Sequence, residues 1–343
     1  MTAISQAQFV RSEPASAEVL HGAPFLATDV GGTHARLALV QRRADGSIAL
    51  LEHHKYACAD YPGLTPIVAD FLSASGRGAV QDAAIGCAGM RRGDLVISIN
   101  LPWSVSLSEL RALGIARVAP VNDFVAVAHA AQCMGGGDGI LLTPDVGAAE
   151  AGPVLVVGPG TGFGAALRVP TDSGWMVMAS EAGQVSLAPG TARERQLLAR
   201  LQGAGGYVRA EQVVSGPGLL LVYRTLCALD GVEPRHGSSS DIAAASETGR
   251  DDQAVEAMAI FCAQFGSLLA DTVMVTGATR VFVAGGIVAK VRAQLERSDF
   301  VARFLDKGVM REVLERVPVR LIDHPHKGVI GAASWYLSQS RAA

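Results

Sequence analysis

The chain has 343 residues, 49% hydrophobic and 18% charged, with a net charge of −3 and a pI near 6.2. That composition supports a sizeable core, leaves room for two domains and argues against global disorder. With 29 basic and 32 acidic residues, no cationic excess points to nucleic acid or an anionic membrane.

The first 23 residues lack a basic head followed by an apolar run, so they read as a flexible extension rather than a secretory signal. Strands are predicted at Phe25–Val30, Ala35–Gln41, Ala83–Ala88, Leu95–Ile99 and Arg117–Val121, and helices at Leu64–Ser75, Leu107–Leu113 and Phe124–Cys133. The short turn between the first two strands makes them antiparallel, and the later alternation with helices adds parallel strands. "MGGGDG" (Met134–Gly139) reads as a break and candidate hinge.

A second series follows, with strands at Val154–Gly158, Gly164–Val169 and Trp175–Ala179. Helices come next at Ala192–Leu201, Gly218–Leu229, Ser239–Ser246 and Asp252–Thr276, and a short apolar strand at Arg280–Ala284 precedes Gly285-Gly286. The longest apolar helix is interrupted by Gln264 and Asp271, so it reads as a buried helix and not a membrane span. A strand in "VPVRLI" and a helix in "KGVIGAASWYLSQS" close the chain. The expected division is an extension over 1–23, a small α/β domain over 24–133 plus 324–343, and a large α/β domain over 134–323.

Two stretches resemble each other, "FLATDVGGTHARLALV" (Phe25–Val40) and "VLVVGPGTGFGAALRV" (Val154–Val169). Glycine lets the backbone bend freely and lets a ligand approach without meeting a Cβ. Successive N–H groups in such a turn form a concavity for anionic oxygens. "GPGTGFG" holds four glycines in seven residues, more than a two-residue hairpin requires. Only four lysines occur, Lys55, Lys290, Lys307 and Lys327, and none follows a glycine, which excludes a Walker A loop. Backbone dipoles, the hydroxyls of Thr33 and Thr161, and a magnesium ion held through water by Asp29 would meet phosphate charge instead. Gly285-Gly286 is a third point of close approach.

Asn122-Asp123 ends an apolar strand and starts an apolar helix. Either residue suits a helix N-cap. A carboxylate beyond a strand's C-terminal end also suits proton abstraction from a substrate hydroxyl. Glu181 and Glu211 lie among glycines and small residues in predicted loops, where carboxylates suit the hydroxyl donors of a sugar. The five cysteines are scattered with no C-x-x-C pair, which disfavours thiolate zinc and a disulfide framework.

"TDVGGTHARLAL", "PVNDFVAVA", "GPGTGFGAA", "SEAGQVSLAP", "AEQVVSGPGL" and "VFVAGGIV" stand in the order and spacing of the bacterial glucokinases, which the chain resembles from about Phe25 to about Tyr336. The resemblance implies two α/β domains of ribonuclease H-like (actin-like ATPase) type with mixed sheets and the active site in the cleft between them. It implies ATP-dependent phosphorylation of the glucose 6-hydroxyl by a cytoplasmic, magnesium-dependent homodimer. Carried over by residue, Asp123 is the catalytic base and Asn122, Glu181 and Glu211 hold sugar hydroxyls. Thr28, Asp29, Val30, Gly31, Gly32 and Thr33, with Gly160, Thr161 and Gly162, surround the phosphates, and Gly285 and Gly286 lie near the nucleoside. Gln184 stands where the family usually has a sugar-binding histidine. That departure keeps a kinase for mannose, fructose or an amino sugar open beside glucose, with a non-catalytic sugar-sensing regulator as a third reading and ADP or polyphosphate as alternative donors.

Overall fold

The repeated strand–glycine turn–strand units begin two sheets of the same design. The computed structural model describes residues 10–11, 20–76, 80–98, 101–133, 139–145, 147, 151–172, 174–203 and 206–339. The chain divides into two compact units, one of Met1–Gly136 with His324–Ala343 and one of Gly137–Asp323.

The first unit starts with β1 (Val10–Arg11), β2 (Leu20–Val30), β3 (His34–Arg43) and β4 (Ile48–Ala57). Helix α1 (Leu64–Ser75), β5 (Asp82–Cys87), the short strands β6 (Met90–Arg92), β7 (Leu95–Ile97) and β8 (Val105–Ser106), α2 (Leu107–Ala112), β9 (Arg117–Val121) and α3 (Asp123–Cys133) follow. The second unit holds β10 (Ile140–Leu141), β11 (Val154–Pro159), β12 (Phe163–Thr171), β13 (Gly174–Ser180), α4 (Ala192–Gln202), α5 (Gly216–Asp230), α6 (Ser239–Thr248) and α7 (Asp252–Thr276). It ends with β14 (Arg280–Val283), α8 (Gly286–Lys290), α9 (Arg292–Arg297), α10 (Phe300–Leu305), α11 (Arg311–Leu314) and β15 (Val319–Leu321), after which α12 (Lys327–Gln339) returns to the first unit.

The main sheet of the first unit runs β1-β4-β3-β2-β5-β9, and that of the second β10-β15-β14-β11-β12-β13. In each, three antiparallel strands (β4-β3-β2, β13-β12-β11) adjoin parallel ones (β2-β5-β9, β11-β14-β15). This is the mixed α/β arrangement expected, built twice. Strand β4 is absent from the sequence reading, because "EHHKYA" breaks the apolar alternation that identifies strands. Strands β1 and the start of β2 fall inside the segment expected to be a loose extension, and β1 pairs with β4 at Val10↔His53. The rest of that segment, and residues 134–138 of the expected hinge, lie outside the described residues.

Both faces of the first sheet are covered, so β2 is apolar on both sides. Leu26 and Val30 join the core beneath α1, whereas Phe25 and Ala27 join the core beneath α3 and α12. Helix α12 lies close because its contact face is small. A Cβ on Gly331 would fall 1.8 Å from the Ala126 carbonyl oxygen of α3. A Cβ on Gly86 of β5 would fall 2.7 Å from the Thr28 carbonyl oxygen and 3.5 Å from Ala332.

The second unit is built around α7, capped by the Asp251 side chain on the Ala254 N–H (2.9 Å) and ended by Gly277 in the left-handed region (φ 63°). It is long and apolar enough to cross a membrane, but 67% of its most apolar window is buried inside the protein. Phe261 and Phe265 are fully buried there, and Asp271 pairs with Lys307 at 2.6 Å, as suits the core helix anticipated from the sequence. Helix α4 starts with a reciprocal cap, Thr191 accepting from the Glu194 N–H while the Glu194 carboxylate accepts from the Thr191 N–H. The same carboxylate, 3% exposed, pairs with Arg303 of α10 at 2.8 Å.

Candidate active site

In the first unit, three parallel strands deliver their C-terminal ends together. Asp29 is registered against Gly86, and Gly86 against Val121. Residues just past these points, Cys87 and Asn122-Asp123, therefore lie beside the β2–β3 turn. This is where ligands of such sheets bind.

The turn is internally braced. The Gly31 N–H donates to the His34 carbonyl (3.0 Å), the Cys58 N–H donates to the Thr33 carbonyl (3.0 Å), and the Cys58 thiol donates to the Gly31 carbonyl (3.3 Å). Thr33 is exposed and Gly31 and Gly32 are half-buried. Thr28 and Val30 are fully buried on the opposite face from Asp29, so they offer the turn only their backbone. The Thr28 hydroxyl has no hydrogen-bond partner among the described residues.

Asp29 is fixed from two sides. Its carboxylate pairs with Arg36 on β3 at 3.4 Å, and its side chain is 24% exposed. A Cβ on Gly328, in the first turn of α12, would fall 2.4 Å from its carboxyl carbon. Loss of hydration against the helix raises its proton affinity above the ordinary carboxylate range, although Arg36 and Lys327 oppose the shift.

Asn122 makes the N-cap contacts of α3, its Oδ1 accepting from the N–H groups of Phe124 (3.0 Å) and Val125 (3.2 Å). Asp123 is the first residue of α3, half-buried, with its Oδ1 3.0 Å from the Phe124 N–H. A carboxylate at this end of a helix is stabilised by the aligned backbone dipoles. Both Asp123 and Asp29 act on Cys87, whose thiol is pushed up to about 12, first by burial and then by these two carboxylates. Cys87 entered the sequence reading only as one of five scattered cysteines. No motif marks it, and only the sheet register places it there.

In the second unit the β11–β12 turn is also braced, with the Gly160 N–H donating to the Gly162 carbonyl (2.8 Å). The Gly160 carbonyl accepts from the Gly216 N–H (2.8 Å) at the start of α5, which Ser215 caps through the Gly218 N–H (2.9 Å). Thr161 is exposed at the tip. Gly285, the buried residue after β14, passes so near that a Cβ would fall 2.1 Å from the Pro159 carbonyl oxygen, while Gly286 is exposed.

Glu211 lies in a 3-10 turn (Ala210–Gln212), half-buried against this structure. Its Oε1 accepts from the Gln184 side-chain amide at 2.8 Å, and its Oε2 accepts from the Phe163 N–H at 3.4 Å. Glycine is needed opposite, because a Cβ on Gly162 would fall 2.9 Å from Oε2 and one on Gly183 2.5 Å from the Phe163 carbonyl oxygen. Glu181, at the head of the adjoining turn, is exposed, and its carbonyl accepts from the Gln184 N–H (2.9 Å). Thus Glu181, Gln184 and Glu211 gather beside the second glycine turn, as Asn122 and Asp123 gather near the first.

A family model described as Glucokinase matches residues 26–339. The chain belongs to the glucokinase family. A "Glucokinase-like protein" of Xylella fastidiosa (strain 9a5c) is 45% identical over 92% of this chain and 95% of its own length. A glucokinase of Chromobacterium violaceum is 37% identical over 91% of this chain and 88% of its own. The crystal structure of a glucokinase from an Antarctic psychrotroph superposes with a TM-score of 0.79 at 31% identity, covering 93% of this chain and all of that one. The glucokinase family thus accounts for both sheets and for nearly the whole described chain, with the actin-like ATPase fold of the sugar kinases.

Proposed function

We propose that this chain is an ATP-dependent hexose kinase that transfers the γ-phosphoryl group of ATP to the 6-hydroxyl of D-glucose. The observation that supports it most is the place of Asp123, a half-buried carboxylate at the start of α3, just past the C-terminal end of β9 and beside the β2–β3 turn. In the proposed step the 6-oxygen attacks the γ-phosphorus, the bond to the β-phosphate oxygen breaks, and the hydroxyl proton passes to Asp123. General-base assistance of this kind contributes roughly 10²–10⁴-fold, and positioning contributes beside it in a loose transition state.

The sugar hydroxyls are assigned to Asn122, through its NH2 group, and to Glu181, Gln184 and Glu211. The phosphates are assigned to the backbone of Thr28, Val30 and Gly31, to Gly32 and Thr33, and to Gly160, Thr161 and Gly162, with Gly285 and Gly286 toward the nucleoside. No group of three or more His, Cys, Asp or Glu side chains that could cage a metal occurs among the described residues. A single carboxylate beside phosphate oxygens suits magnesium, which keeps several of its waters. Asp29 is that carboxylate, and a bound magnesium ion would neutralise charge on the transferring group. A cytoplasmic homodimer is part of the same reading.

Gln184 favours a second reading, in which mannose, fructose or an amino sugar is the better acceptor. It presents a neutral amide already engaged with Glu211. A coupled assay of purified protein across these sugars, with ATP, ADP and polyphosphate as donors, tests both. The highest kcat/KM is expected for glucose with ATP. A higher value for another hexose replaces the acceptor, and no turnover with any pair leaves the sugar-sensing role.

A further inference from the structure

The sheet face that carries Asp29 also carries a basic hollow with no part in the proposed phosphoryl transfer. It measures about 410 Å³ and is lined by Arg36, His53, His54, Lys55 and His326, with Val329 of α12 among its apolar wall. Among the described residues its lining contains no carboxylate. Strand register explains how the charges meet. Arg36 on β3 lies directly opposite Lys55 on β4 and directly opposite Asp29 on β2. Like charges facing each other across a ladder repel, and Asp29 stands directly opposite only the first of these two permanent cations.

His53, two residues before Lys55, shares that face. Its ring lies 4.3 Å from that of His326 (centroid to centroid), and His326 in turn is 5.9 Å from His324. Burial, then His53, His324 and Arg36, push the His326 imidazole down to about 4, so near neutral pH it is an uncharged N–H donor. These imidazoles form no metal-holding group among the described residues. Two permanent cations with imidazole donors around a space of small-molecule size match a compact dianion.

We propose that this hollow binds a small phosphate dianion, and that its occupant competes with Asp29 for the Arg36 guanidinium. Arginine forks onto phosphate oxygens through paired N–H groups, an interaction about twice as strong as a neutral hydrogen bond. The binding half stands on the hollow alone. The coupling half rests on the kinase reading, since it makes occupancy of the hollow felt at the carboxylate assigned to the ATP phosphates. The ligand's source is either a hexose phosphate, the chemical class of the reaction's own product, or free inorganic phosphate.

Calorimetric titration of the full chain with inorganic phosphate and with glucose 6-phosphate tests the binding half without reference to turnover. Both are expected to bind, and the double variant His53→Ala, Lys55→Ala to weaken inorganic phosphate by about tenfold or more. Tighter binding of glucose 6-phosphate than of phosphate, lost in the same variant, identifies the product class, and the reverse order identifies free phosphate. Lys55→Gln, on an exposed side chain, serves where the double variant does not fold and is expected to show the same direction. Equal phosphate affinity in wild type and variants, or no binding at millimolar concentration, overturns the site. A tenfold rise in KM for ATP in Lys55→Gln also overturns it, because the basic row would then belong to the donor site.

Discussion

The Gln184 side-chain amide donates to Glu211 Oε1 at 2.8 Å, and this bond orients the carboxylate assigned to the sugar. A hydrogen bond to a charged group contributes about 1.5–3 kcal/mol. Gln184→Leu is therefore expected to raise KM for the sugar by roughly 10- to 100-fold, with a smaller effect on KM for ATP. Steady-state kinetics with each substrate varied in turn checks this, and an unchanged sugar KM would remove Gln184 from the site.

Asp123 and Asn122 are expected to separate on two different axes. Asp123→Ala should lower kcat by roughly 10²–10⁴-fold while lowering the melting temperature by less than Asn122→Ala does. Asn122→Ala removes the cap contacts to Phe124 and Val125 and should destabilise the protein by about 1 kcal/mol. Calorimetric melting beside the kinase assay reads both. If Asp123→Ala melts early and retains turnover, its role is structural.

Gly328 is the residue on which the position of Asp29 depends. In Gly328→Ala the new methyl group would fall 2.4 Å from the Asp29 carboxyl carbon, so α12 or β2 must shift. Crowding of this kind costs about 1–3 kcal/mol. The expected result is a lower midpoint in urea together with a higher KM for ATP. A variant matching wild type in both would show that the helix can move away freely.

The Glu194–Arg303 pair gives an acid limit to stability. Burial alone raises the Glu194 pKa, but Arg303 and the N–H groups of Gly190 and Thr191 outweigh it and hold the net value below the usual 4.5. A carboxylate depressed by folding stabilises the protein at pH values above its unfolded pKa, and that contribution is lost as pH falls through the folded value. Wild type should therefore lose stability on acidification below about pH 4.5, and Glu194→Gln should lose less over the same range. Because the variant leaves Arg303 without its charge partner, it should also be about 3–5 kcal/mol less stable at neutral pH. Denaturant midpoints from pH 3 to 7 for both proteins check the sign, and parallel curves would exclude the pair.

Much of this architecture is written locally. The two glycine turns announce themselves through flanking apolar runs, and α1 and α7 have the bounds read from their periodicity. The gathering of Glu181, Gln184 and Glu211 near one turn is implied by the family resemblance, since Glu211 lies 27 residues from Gln184. The unpredicted parts depend on partners remote in sequence. Strand β4 is the exception, since it pairs with its chain neighbour β3 in spite of its histidines and lysine. Cys87 reaches the site through strand register, and Gly328 reaches Asp29 only because α12 packs across the sheet. The choice between Asn122 and Asp123 as the cap turned on side-chain direction, which residue type alone does not specify.

The return of α12 to a sheet begun some three hundred residues earlier sets an order of assembly. Translation releases all of residues 137–323 before the helix that covers Phe25, Ala38 and Val40 has been made. Until then an oily surface of the N-terminal sheet stays open to water, the condition under which nascent chains aggregate or recruit chaperones. Asp29 meets its neighbour Gly328 only after this helix has docked, so until then the corner proposed for phosphate is unfinished.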